Sequence, residues 1–151
     1  MTALSEGLTV EDILLGVQVA SKQQLFEIVD AHMQAAHGMP AESVASALQR
    51  REQAGSTALG HGIAIPHARV KELDRIRIVY ARLVPALPFD APDGQAVSHV
   101  LVLMVPAPAT QAHLDILAQV SSLFSDPAFR KALDQCQDPI RIKEVFDRWP
   151  S

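Results

Sequence analysis

Three side chains widely spaced in the sequence have chemistry that fits together: His67, His113 and Arg51. His67 ends the apolar run Ile63-Ala64-Ile65-Pro66. It follows a stretch dense in small residues, Gly55-Ser56-Thr57-Ala58-Leu59-Gly60-His61-Gly62. An imidazole with an ordinary pKa near ~6.5 is mostly neutral at pH 7. If an acceptor holds one ring nitrogen, the other presents its lone pair as a nucleophile. A transferring phosphoryl group is loose and spreads its charge over three equatorial oxygens, so its chemistry needs positioning and fixed donors. Arg51 offers a guanidinium fork, and His113 offers an N–H at the positive start of a helix. Ser56, Thr57 and the loop amides add donors, while Gly60 and Gly62 let backbone approach closely.

The elements that must position these groups alternate between helical and strand periods, which predicts an α/β fold in a single domain. Thr9 to Leu15 reads as a short helix stopped by Gly16, and Val17 to Ala20 as a brief strand. Ser21 stands as an N-cap with Gln24 three residues on. Leu25, Ile28, Val29 and Met33 follow at helical spacing, and Gly38 stops the helix. His32 and His37 on this helix read as surface residues. Met39-Pro40 opens a second helix, on which Val44, Leu48 and Arg51 share a face. Gly55 ends it. A charge on an apolar face is costly unless it is paired or has a task.

Ile63 to Ile65 and Arg75 to Val84 read as strands, with a proline-containing connection from Pro85 to Gly94. Val97 to Val105 is nearly all aliphatic, as expected of a strand covered on both faces. Thr110 is an N-cap for a helix carrying His113, Leu117, Val120 and Phe124 on one side. Asp126-Pro127 and Asp138-Pro139 each open a short helix, and Trp149 closes the chain against the body.

Composition narrows the function. The 151 residues are 48% hydrophobic and 20% charged, which is ordinary for a globular domain. The formal net charge of −4 argues against nucleic acid as partner. Arg69, Lys71, Arg75 and Arg77 read as a solvated edge. Cys136, the single cysteine, is a helix residue without a chemical role and fits a reducing compartment. No apolar run is long enough to span a bilayer, and Met1 to Gly7 lacks the pattern of a signal peptide. The expected location is cytoplasmic, without membrane insertion. The histidines include no H-x-x-x-H pair and there is no cysteine cluster, so no metal and no cofactor are expected.

The segment from Arg51 to His67, ending Gly-Ile-Ala-Ile-Pro-His, closely resembles the phosphorylation site of the fructose/mannitol-type (type 2) enzyme IIA domains of the bacterial phosphotransferase system. His113-Leu114-Asp115-Ile116-Leu117 resembles the second histidine motif of that family, in the expected order. The resemblance implies one enzyme IIA domain over residues 5–149, with a mixed sheet of about five strands flanked by helices on both sides. It implies that His67 is phosphorylated, with His113 and Arg51 lining the same site and Ser56, Thr57, Gly60 and Gly62 in support. The implied donor is a phosphohistidine carrier of the HPr type. A chain without fused membrane or enzyme IIB segments looks most like the nitrogen-regulatory branch. A sugar-specific enzyme IIA donating to an enzyme IIB is the alternative. So is a binding module for transporters or sensor kinases that phosphorylation switches.

Overall fold

The computed structural model describes residues 3–108 and 110–149, which leaves Met1 and Thr2 of the Met1–Gly7 stretch outside the described residues. In chain order the elements are α1 (Ala3–Gly7), β1 (Leu8–Val17), α2 (Lys22–His37), α3 (Ser43–Gln53), β2 (Ala58–Gly60), β3 (Ile63–Ala64), β4 (His67–Arg69), β5 (Arg77–Leu87), β6 (Val97–Val105), α4 (Gln111–Ser125), α5 (Pro127–Asp134) and α6 (Pro139–Arg148). The strands form one sheet of six in the order β1-β5-β6-β3-β2, with β4 pairing the far end of β6. The expected five-strand sheet thus gains a sixth, because the chain around His67 joins it. The sheet is mixed: β1 runs parallel to β5, β5 antiparallel to β6, and β3 and β4 parallel to β6.

Alternation along the two central strands builds two cores. Val79 and Ala81 of β5, with Val100, Val102 and Met104 of β6, pack under Leu25, Val29, Val44 and Leu48 of α2 and α3. Ile78 and Tyr80, with Leu101, Leu103 and Val105, face Ile116, Phe124, Phe129 and Phe146 of α4, α5 and α6. A strand buried on both sides needs apolar residues at successive positions, which is why β6 reads as an unbroken aliphatic run.

Several elements differ from the sequence reading. Thr9 to Leu15 lies in β1, not in a helix. Its apolar spacing suits both periods, and parallel pairing with β5 decides for the strand. The pairing is irregular, since five residue steps from Leu8 to Ile13 oppose two from Ile78 to Tyr80, and such a bulge re-aims side chains. β5 runs through Pro85 to Leu87 because the register shifts between Arg82 and Leu87, and a bulge tolerates a residue without an N–H. Pro40 precedes α3 rather than opening it. The start of α3 is instead capped from outside. Asp30 of α2 accepts hydrogen bonds from the amides of Val44 (3.0 Å) and Ala45 (2.8 Å), while Glu42 at the N-cap position has φ 70° and no side-chain bond of its own. The expected caps Ser21, Asp126 and Asp138 each accept from a first-turn amide. Trp149 packs on Phe129 and donates to Asp126 (3.1 Å).

His32 and His37 are not simply surface residues. Both turn toward the fully buried Asp12 carboxylate of β1, at 2.7 Å and 2.9 Å from its Oδ1.

Candidate functional site

β3 and β4 pair successive stretches of the same strand, Ile63–Ala64 with His99–Val100 and His67–Arg69 with Leu103–Val105. Ile65 and Pro66 make the step between them. Proline has no N–H to donate to the ladder, and the Pro66 carbonyl accepts from Leu103 N (2.9 Å). The Ile65 carbonyl lies 2.8 Å from Nδ1 of His67. A carbonyl only accepts, so Nδ1 carries the proton and Nε2 holds the lone pair. Arg51, in the last turn of α3, donates its Nε–H toward that Nε2 at 3.4 Å. A second guanidinium nitrogen, Nη1, donates to the Gly55 carbonyl (2.9 Å), so the helix end itself sets the guanidinium's direction.

His113 is the third residue of α4. Its Nδ1 accepts from the Thr110 amide (3.1 Å), which leaves Nε2 to carry the proton of the neutral ring. A side chain thus replaces the carboxylate of a capping box and becomes a fixed donor. His67, Arg51 and His113 line one cleft of about 650 Å³, together with Arg50, Arg69 and Leu114. One lone pair, one guanidinium and one imidazole N–H therefore border a common space.

The supporting residues occupy different places. Ser56 and Thr57 border a smaller hollow of about 180 Å³ that shares Arg51 and His67. Their hydroxyls are already engaged: Ser56 donates to the Phe89 carbonyl (2.5 Å) and Thr57 to Glu52 (2.7 Å). Gly60 (φ 97°) and Gly62 (φ 77°) flank His61 in the β2–β3 turn and line neither cavity. Both have positive φ, where a side chain is strained. At Gly60 a Cβ would also meet the Asp93 carboxylate at 3.2 Å.

Two contributions escaped the sequence reading. Arg69, taken for part of a solvated edge, lines the cleft, as does Arg50, so a chain of net charge −4 gathers three guanidiniums here. The register of β4, with Arg69 two residues after His67, could have revealed the first. Glu52 is the second kind of omission. Its side chain is 6% exposed, and its carboxylate accepts from the Thr57 amide (3.1 Å), the Thr57 hydroxyl and Lys22 Nζ (2.9 Å). It ties α3 to the start of β2 directly beside Arg51. No local signal separates such a glutamate from a solvated one.

The cleft has an apolar rim. Leu114 is 61% exposed, and Leu59, across the smaller hollow, is 43% exposed. Among the described residues no helix is long and apolar enough to cross a membrane.

The chain is similar to known proteins over most of its length. The family model described as "Phosphoenolpyruvate-dependent sugar phosphotransferase system, EIIA 2" matches residues 6–149. A nitrogen regulatory protein of Bradyrhizobium diazoefficiens is 35% identical over 90% of this chain and 89% of its own. The crystal structure of nitrogen regulatory protein IIA-Ntr from Neisseria meningitidis superimposes with a TM-score of 0.89 at 32% identity, over 95% of this chain and 99% of that one. IIA mannitol from Escherichia coli shares the fold, with a TM-score of 0.75 at 18% identity over 91% and 97% of the two chains.

Proposed function

The chain belongs to the type 2 enzyme IIA family of the phosphoenolpyruvate-dependent sugar phosphotransferase system, and from that premise we propose that Nε2 of His67 is the atom that accepts the phosphoryl group. The protein is a phosphoryl carrier of this system acting in nitrogen-related regulation. The observation that carries the atomic assignment is the bond from His67 Nδ1–H to the Ile65 carbonyl, which leaves Nε2 as the nucleophile facing the cleft.

The step balances simply. The lone pair of His67 Nε2 attacks phosphorus of a phosphohistidine donor of the HPr type. The Nε2–P bond forms as the donor's N–P bond breaks, and the donor imidazole recovers its electron pair. His67 keeps its Nδ1 proton, and the Ile65 carbonyl steadies the cationic ring that results. The Arg51 guanidinium and the His113 Nε2–H meet the charge that develops on the equatorial oxygens. Arg50 and Arg69 raise the local positive potential around the incoming anion. The exposed Leu114 and Leu59 beside the cleft give a protein donor an apolar footing. The added phosphate brings about −1.5 to −2 charge to the same surface, enough to change which regulatory target, a transporter or a sensor kinase, binds there. The proposed location of this chemistry is the cytoplasm.

Incubation with phosphoenolpyruvate, enzyme I and an HPr-type donor tests the proposal. One acid-labile phosphoryl group is expected, absent in His67→Gln, with nitrogen NMR of the adduct showing phosphorus on Nε2. An adduct on Nδ1, or one that persists in His67→Gln, refutes it.

A further inference from the structure

Asp12, His32 and His37 form a polar cluster on the α2 side of the sheet, outside the phosphoryl cleft and with no part in its chemistry. Asp12 belongs to the bulged stretch of β1 between Leu8 and Ile13, and its side chain is 0% exposed. A carboxylate taken fully out of water needs a partner that compensates its charge. Among the described residues no lysine or arginine forms an ion pair with it. Thr9 Oγ1 donates to Oδ2 (3.0 Å), His32 Nε2 lies 2.7 Å from Oδ1, and His37 Nε2 lies 2.9 Å from Oδ1 and 3.0 Å from Oδ2. The two rings stand edge to face at 83°, so their Nε2 atoms converge on one carboxylate from different directions. One ligand atom from each residue falls within a group no wider than 4.8 Å.

We infer that Asp12, His32 and His37 form a binding site for a divalent transition ion, of which Zn2+ is the best match. Two imidazole nitrogens and one carboxylate oxygen are the donor set that borderline-soft Zn2+ takes, with water as a fourth ligand. The geometry needs little change. Tetrahedral ligands at ~2.0–2.1 Å from zinc stand roughly 3.3 Å apart, so the Nε2···O separations need open by only about half an ångström. Binding replaces the N–H···O contacts with N–Zn and O–Zn bonds, and any proton held between these atoms leaves to solvent. Thr9 keeps its bond to the second carboxylate oxygen and orients it, the usual service of an outer partner at a metal site. The 18% exposure of the His32 side chain gives the ion a way in. His37 closes α2 just before Gly38, whose φ of 67° ends the helix. The ion would therefore clamp the C-terminal end of α2 to β1. At the opposite end of α2, Lys22 holds Glu52 beside Arg51. The clamp thus acts on the helix that supports α3.

The sequence conceals this site, because the histidines are five apart rather than four and the third ligand comes from a bulged strand twenty residues upstream of His32.

The test is titration of the full chain, free of any histidine tag, with ZnCl2 in a calorimeter. The expected result is about one Zn2+ per chain, weakened at least ~100-fold in His32→Gln and in His37→Gln and retained in His67→Gln. The melting temperature of the wild-type chain should rise by roughly 5–10 °C when free Zn2+ stands a hundredfold above Kd. Co2+ in its place should give the strong visible absorption of a tetrahedral site, a readout on unmodified protein that holds even if a variant misfolds. Absence of binding and of that absorption in the wild type, unchanged affinity in both histidine variants, or loss of binding in His67→Gln would each overturn the assignment. In that event the two imidazoles serve only to hydrogen-bond a buried carboxylate.

Discussion

Replacing Glu52 by Ala probes how the fold holds Arg51 in position. The carboxylate serves the Thr57 amide and hydroxyl and Lys22. Thr57 is only 5% exposed, so its orphaned N–H costs about 1–3 kcal/mol. The lost hydroxyl bond adds about 1 kcal/mol, and the partly exposed Lys22 pair contributes at most ~1 kcal/mol. Together the loss is about 2–5 kcal/mol, or a melting temperature lower by roughly 4–20 °C for a domain of this size. The effect on chemistry runs through backbone. Arg51 is anchored by the Gly55 carbonyl, two residues before Thr57, and a guanidinium displaced by about 1 Å loses roughly tenfold to a hundredfold in rate. Single-turnover transfer from a phosphorylated HPr-type donor, measured with donor in excess, reads that step apart from docking. Glu52→Gln retains an acceptor for Thr57 and should lose less of both quantities. Thr57→Val removes the hydroxyl alone and should cost about 1 kcal/mol with little change in rate. A Glu52→Ala protein of wild-type melting temperature, or one that melts early yet transfers at the wild-type rate, would refute the reasoning.

Arg51→Ala should slow phosphorylation about a hundredfold to a thousandfold in the same single-turnover assay, as loss of a preorganised donor does elsewhere, and Arg51→Lys should recover only part because a lysine is a point charge without the fork. Asp30→Ala should destabilise the fold by about 2–4 kcal/mol in urea unfolding, since it uncaps α3 and leaves the buried amides of Val44 and Ala45 without their acceptor. Burial pushes the Asp30 carboxyl upward, but hydrogen bonds from Ala45, Gln34, Glu42 and Val44 outweigh it and hold the group below the usual carboxylate range. Its stabilisation is therefore complete above the unfolded value near 3.8 and is lost as pH falls through the lower folded value, so the wild-type and Asp30→Asn stability curves should converge in acid. Burial likewise lowers the imidazole of His99, against the opposing pull of Asp134, and the unfolded chain then binds that proton first. Stability should fall as pH drops below about 6.5, and His99→Gln should flatten that part of a melting-temperature profile against pH.

Much of the local structure was legible because its causes are local. Ser21, Asp126 and Asp138 cap helices through bonds to amides two or three residues away. The aliphatic run of β6 announces burial on both faces, and it lies where two cores meet. What misled the reading was tertiary override. Val10, Ile13 and Leu14 suit either period until β5 is beside them, and Pro85 reads as a strand end until a register shift accommodates it.

The amino-acid order alone singled out the groups proposed to carry the chemistry: a histidine after an apolar run and proline, a second at a helix start, and an arginine on an apolar helix face. Only folding decided which atoms of those groups are free. His67 Nε2 keeps the lone pair because a bend between two strands aims the Ile65 carbonyl at the other nitrogen, and His113 is a donor because its Nδ1 answers an amide of its own helix cap. Folding alone also brought Asp30 to the start of α3, Glu52 to Thr57, and Asp12 to two histidines. Each of these pairings joins separate elements or loops through space, and composition and periodicity report only on neighbours along the chain.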